Sequence, residues 1–122
     1  MRVLEAALRG ADLWYPHRQD VCWAQLDKKR PAIILSIDEL NQYSHDVCLI
    51  PTTCEHHGEF TLRVDLAKGD GGLPDNCWAK CDQPTTIERR DVQGPSLGRL
   101  SDEKFREIQV NVRKALGLTK IV

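Results

Sequence analysis

A mainly β domain with one helix at its C-terminal end is the fold class predicted for this chain of 122 residues. Two patterns carry that prediction. Short runs rich in β-favouring residues follow one another at close spacing from residue 21 onward, separated by polar or glycine-containing breaks. Sustained helical periodicity comes near the end, where Phe105, Ile108, Val112 and Leu116 form one apolar stripe. The length suits one domain with one hydrophobic core. The expected architecture is a small, strongly bent sheet or barrel with the helix packed on it.

The elements are expected in this order. Val3, Leu4, Ala7 and Leu8 recur at helical spacing with Gly10 as a stop, which predicts a short helix over 2–9 within an N-terminal extension, residues 1–20. Residues 21–122 form the single domain. "VCWAQL" (21–26) predicts a strand, and "PAIILS" (31–36) predicts one buried on both faces. Only Asp27 to Arg30 separates them, so the two make a tight antiparallel hairpin. "DELNQYS" (38–44) predicts a single helical turn. "DVCLIPTT" (46–53) predicts a third strand, with Pro51 at an edge or a bulge because proline cannot donate to a ladder. "EFTLRVDL" (59–66) alternates at strand period. "KGDGGLPDN" (68–76) is a loop, "CWAKCDQ" (77–83) a further strand, and "LGRL" (97–100) a last short one. Ser101 is positioned as the N-cap of the terminal helix, Asp102 and Glu103 suit its positive end, and Gly117 suits the position just past its C-terminus. The helix stripe serves a core or a dimer interface, and Lys104, Arg106 and Glu107 lie on the solvated face.

The formal net charge of −1 argues against a dedicated duplex-DNA binder but allows a local basic groove. Five cysteines, Cys22, Cys48, Cys54, Cys77 and Cys81, are an odd number set mostly in apolar runs. That pattern predicts reduced thiols in a cytoplasmic protein rather than a secreted disulfide framework. Glu5 interrupts the only apolar stretch near the N-terminus, so no signal peptide is expected, and no run reaches membrane-spanning length. Cys54, His56 and His57 could approach Cys77 and Cys81. The Cys-x-x-x-Cys spacing lacks the usual zinc knuckle, however, and neighbouring histidines on an extended chain point oppositely, so no metal is expected. His56 and His57 belong either to an exposed polar loop or beside a groove, where neutral imidazole can shuttle protons. Arg30, at the mouth of a buried strand, is either a solvated turn charge or a group aimed at an anion.

Four stretches then fall into one pattern: "RPAIILS", "LIPTT", "KCDQPTTIERR" and "LGRLSDEKF". In that order and spacing the chain resembles the MazF/PemK (Kid) family of toxin endoribonucleases, over roughly residues 20–118. The resemblance implies an SH3-like β-barrel with a C-terminal helix, a homodimer, and no cofactor or metal. It also implies cleavage of single-stranded RNA (mRNA) by attack of a 2′-hydroxyl on the neighbouring phosphorus, leaving a 2′,3′-cyclic phosphate. A cognate antitoxin protein would block the RNA groove. Residue by residue, Arg30 matches the family's Arg-Pro arginine and Thr53 its strand-end threonine. Asp82 matches an aspartate with an acid/base or orienting role, and Lys80 stands where PemK-type members place a catalytic arginine. Two residues apart on one strand, Lys80 and Asp82 are expected to share a face. Gln83 is a base-edge contact, and Lys28 and Lys29, with His56 and His57, complete the expected RNA contacts.

That chemistry needs a group to take the hydroxyl proton, charge to stabilise the phosphorane oxygens and a donor for the leaving 5′-oxygen. Arginine suits the second task because its planar fork meets two phosphate oxygens. Two departures stand out: Lys80 offers a charge without a fork, and the first hairpin lacks the longer glycine-rich loop of the family. A second reading therefore stays open, in which the same fold is a binding module acting through a protein or RNA partner.

Overall fold

The computed structural model describes residues 14–55 and 62–119. The expected helix over 2–9 falls outside those residues. Seven strands are present among the described residues: β1 (Asp20–Gln25), β2 (Lys29–Ile34), β3 (Asp46–Thr53), β4 (Val64–Leu66), β5 (Cys77–Ala79), β6 (Thr85–Glu88) and β7 (Val92–Arg99). Among the described residues there are also two α-helices, α1 (Asp38–Tyr43) and α2 (Asp102–Ala115). Every ladder is antiparallel, and the strands run in the order β4-β5-β3-β2-β1-β7, with β6 also paired to β3.

The mainly β class with a C-terminal helix holds. The barrel does not: no ladder among the described residues joins β4 to β7, so the sheet stays open. The first hairpin forms as expected. Val21 pairs with Ile33 and Gln25 with Lys29, leaving a turn of only Leu26, Asp27 and Lys28. Arg30 is thereby inside β2, opposite Ala24.

Strand alternation sends side chains of β1 to β3 into two cores. Val21, Ile33 and Ile50 join Val64, Leu66 and Leu100 and the α2 residues Phe105, Ile108 and Val112. Cys22, Ala24, Ala32, Ile34, Val47 and Leu49 pack with Val92 on the other face. The reading of "PAIILS" as a strand buried on both faces is therefore correct.

Four expectations change. Pro51 is not on an edge strand, because β3 lies inside the sheet. One side of β3 pairs with β2, and the other pairs first with β6 (Asp46–Leu49) and then with β5 (Thr52–Thr53). Pro51 sits where that second side changes partner, so its missing N–H interrupts neither ladder. The strand expected over 77–83 ends at Ala79; Gln83 N–H donates to Lys80 O at 2.9 Å and closes a turn. Within the strand expected over 59–66, only Val64–Leu66 is a strand among the described residues. In place of a short strand over 97–100, β7 runs for eight residues from Val92. Gly94, Pro95 and Gly98 disguised it, and they are tolerated because β7 closes one end of the strand order and pairs only with β1.

Helix α2 starts as anticipated: Ser101 Oγ accepts from Lys104 N–H at 3.2 Å, and Gly117 follows the last turn at φ +74°. Leu116 is exposed and does not extend the buried stripe.

Two contacts fasten the ends of the domain. Gln19, only 7% exposed, holds φ +80°. Its amide donates to Leu100 O (2.7 Å) and Asp102 Oδ1 (2.8 Å), and its oxygen accepts from Arg99 Nη2 (3.1 Å). At Gly72, φ is +81° and a Cβ would overlap the Leu97 carbonyl, so only glycine lets the 70–72 turn close on β7.

Candidate nucleic-acid groove

The turn end of the β1–β2 hairpin, the end of β3 and the chain entering β5 surround a groove of about 310 Å³. Trp23, Lys28, Lys29 and Arg30 form one wall; Thr52, Thr53, Cys54 and Glu55 form the next; Pro74, Asp75 and Cys77 close it. Beyond Arg30 lies a second hollow of about 220 Å³, reached by Asp27, Lys80, Gln83 and Thr85. Arg30 and Thr52 line both. Arg30 thus stands between two hollows, and none of residues 14–19 lines either one.

The short turn dictates what Arg30 does here. Its Nε donates to Asp27 Oδ1 at 2.9 Å and its Nη2 to Asp27 Oδ2 at 3.0 Å. Three residues apart across a three-residue turn, the two side chains meet fork to fork. The pair is wet, with the arginine side chain 25% exposed and the aspartate 68%. The guanidinium hydrogen bonds hold the Asp27 carboxyl well below the usual carboxylate range, and the same bonds raise Arg30. A carboxylate in this position occupies the two donors that a phosphate would use.

Around the pair, Lys29 Nζ lies 5.4 Å from the Trp23 ring centroid, which sets a cation over an aromatic wall. Thr52 is buried and its hydroxyl donates to Pro31 O at 2.7 Å, fixing β3 against β2. The half-buried Thr53 Oγ1 accepts from Glu55 N–H at 3.1 Å and keeps its own proton for another partner.

The structure brings Lys28, Lys29, Arg30 and Thr53 together in the first groove, and Arg30, Lys80 and Gln83 in the second. Lys80 reaches it because its backbone N–H donates to Pro51 O at 2.9 Å, carrying β5 one residue past its strand. Asp82 is on the exposed side of the 80–83 turn and lines neither hollow, so strand alternation does not relate it to Lys80. His56 and His57 lie outside the described residues. Sequence reasoning missed Asp27 as the partner of Arg30 and Trp23 as a groove wall. The charge pair three apart was a usable signal for the first; nothing in the local sequence marked the second. Among the described residues no group of three His, Cys, Asp or Glu side chains is arranged to hold a metal ion, and no helix is long and apolar enough to cross a membrane.

Residues 17–116 match the sequence model of the PemK-like, MazF-like toxins of type II toxin–antitoxin systems. The chain belongs to that family. Solved structures of MazF proteins share the fold. The Mycobacterium tuberculosis toxin MazF-mt6 superposes with a TM-score of 0.72 at 26% identity, covering 82% of this chain and 98% of that one. A mycobacterial endoribonuclease in complex with its cognate antitoxin gives 0.72 at 23%, over 85% and 97% of the two chains. MazF in a MazE–MazF structure from Deinococcus radiodurans gives 0.73 at 18%, over 88% and 100%. No curated protein sequence matches the chain. In this MazF-like chain the hairpin arginine that the resemblance singled out lines an open groove, beside the strand-end threonine.

Proposed function

We propose that this chain is the toxin of a type II toxin–antitoxin pair and a metal-independent endoribonuclease acting on single-stranded RNA in the cytoplasm. The observation that carries the reading is Arg30, a two-donor fork between two hollows that also hold Thr53 and Lys80. In the proposed reaction an RNA phosphate displaces Asp27 and takes both arms of the Arg30 fork. The 2′-hydroxyl attacks the adjacent phosphorus, a phosphorane forms, and the 5′-oxygen leaves to give a 2′,3′-cyclic phosphate. Arg30 binds two equatorial oxygens as their charge grows, and the Thr53 hydroxyl donates to one of them. Lys80 adds positive charge without a fork. Asp82 is assigned the acid/base or orienting role, Gln83 a base edge, and Lys28, Lys29, His56 and His57 the flanking phosphates and bases. The Trp23 ring suits a stacked base. A homodimer extends the groove, and the cognate antitoxin covers it.

One observation favours the alternative of a binding module: Asp27 already fills the Arg30 fork, and the hairpin is short. The test is Arg30→Ala and Arg30→Lys, each measured for RNA cleavage with a chelator present and for thermal unfolding. Cleavage should fall by about 10²–10³ in the alanine variant, the scale of one lost transition-state donor, while the melt stays that of the parent. Lysine should rescue little. An alanine variant that cuts at the parental rate makes Arg30 a turn charge and refutes its place in the site; a parent protein that does not cut leaves the binding module as the surviving reading.

A further inference from the structure

The groove holds a second chemistry that RNA cleavage does not use. β3 and β5 pair with Thr52 opposite Ala79 and Thr53 opposite Trp78. β3 ends at Thr53, and continuing its register by one residue would set Cys54, the first residue past the strand, opposite Cys77. One step in the other direction, Lys80 N–H donates to Pro51 O. Antiparallel ladders alternate hydrogen-bonded and non-hydrogen-bonded pairs. The Pro51–Lys80 and Thr53–Trp78 pairs are therefore of the first kind and Thr52–Ala79 of the second, and Cys54 with Cys77 would continue the second kind. Non-hydrogen-bonded partners have Cα atoms about 4.5 Å apart and the closest side chains. A disulfide needs Cα atoms roughly 4.4–6.8 Å apart.

Independent contacts agree with the register. Both cysteines line the groove. Continued alternation would turn Cys54 to the same face as Thr52, which lines the groove with Cys77. Cys54 is an electrostatic neighbour of both Cys77 and Arg30. Their exposures differ: Cys54 is exposed, whereas Cys77 is 6% exposed. Burial also pushes the Cys77 thiol up to about 11, so the exposed Cys54 is the thiol that meets an oxidant first.

We propose that Cys54 and Cys77 form a reversible intramolecular disulfide in the groove wall, with a hydroperoxide as oxidant. The exposed Cys54 sulfur attacks hydrogen peroxide, the O–O bond breaks, and a sulfenic acid and one water result. The Cys77 sulfur then attacks the Cys54 sulfur, the S–O bond breaks, and the departing hydroxide takes the Cys77 proton as a second water. Two thiols lose two electrons and two protons, and one peroxide becomes two waters. The bond fastens the end of β3 to the start of β5 beside Arg30.

The experiment treats the full-length chain with hydrogen peroxide, denatures it, alkylates the remaining thiols with N-ethylmaleimide and measures intact mass. Of the five cysteines, three should take the label after oxidation and all five after dithiothreitol, with the cross-link mapped to the peptides carrying Cys54 and Cys77. Cys54→Ser and Cys77→Ala should each abolish the cross-link, so a folding defect in the buried-site variant leaves the other as a control. Five labelled thiols after peroxide overturn the proposal. So does a Cys54–Cys54 link between two copies, or Cys54 carried on to sulfinic acid while Cys77 stays labelled. The mass readout stands whether or not the chain cuts RNA.

Discussion

Replacing Gln19 separates two effects that one residue combines. The side chain makes two donor bonds, to Leu100 O and to the Asp102 carboxylate, and one acceptor bond from Arg99. Neutral hydrogen bonds contribute about 1 kcal/mol each and those to charged groups about 1.5–3. The arginine bond is at the exposed end and counts for least. Gln19→Ala leaves the carbonyl of the buried Leu100 without this donor, so a loss of about 2–3 kcal/mol is expected. Gln19→Gly removes the same bonds, yet φ is +80° there. A left-handed conformation costs an L-residue about 1–2 kcal/mol, which glycine avoids, against about 0.5–1 for its greater freedom when unfolded. The glycine variant should therefore be the more stable of the two by about 0.5–1 kcal/mol, the reverse of the usual order. Urea unfolding at pH 7 reads both. With a slope of about 1.5 kcal/mol/M, the alanine midpoint falls by roughly 1.5–2 M and the glycine midpoint by less. A glycine variant below alanine would refute the argument from φ, and parental midpoints for both would refute the hydrogen-bond argument.

Ser101→Ala removes the hydroxyl that accepts from Lys104 N–H and should cost about 1 kcal/mol, read as a lower urea midpoint; Ser101→Asp should recover most of it. Asp27→Asn frees the Arg30 fork, so binding of a single-stranded RNA oligonucleotide by fluorescence anisotropy should tighten several-fold at constant salt. Weaker binding would mean that the pair orders the hairpin for its ligand. Burial pushes the Cys22 and Cys81 thiols up to about 12, while an unfolded thiol ionises near about 8.5. The folded state holds the protons more tightly, so this stability is complete below about pH 8.5 and is lost as pH rises toward about 12. Urea midpoints should decline over that window; a flat profile would count against it.

The sequence showed the parts whose signals are local. The hairpin was legible because two β-rich runs stood four residues apart, and α2 because its stripe, cap and terminal glycine agreed. β7 was hidden because Gly94, Pro95 and Gly98 are breakers in isolation and acceptable only at the end of the strand order, a position that pairing alone reveals. Lys80 and Asp82 looked like neighbours on one face because "CWAKCDQ" continues a strand pattern, whereas the bond from Lys80 N–H to Pro51 hands the chain to a turn. Arg30 was recognised by its motif, but its pairing with Asp27 depended on turn length, and the meeting of Cys54 and Cys77 in one groove depended on pairing between distant segments. Apart from the local Asp27–Arg30 pair, long-range pairing decided the features that the linear pattern missed.

The two-sided burial of the central strands bears on how the domain opens. Ile33 and Ile50 enter one core, while Ile34 and Leu49, their neighbours in sequence, enter the other. Neither core can loosen without displacing a strand that the other also requires. The backbone amides of β1, β2 and β3 should therefore exchange with solvent as one cooperative unit in a hydrogen-exchange measurement, through global rather than partial opening. β4 and β6, short and paired along one edge each, belong to a less protected layer. The groove lies where the layers meet: Arg30 is carried by β2, one of the strands both cores require, and Thr53 ends the strand that both layers share.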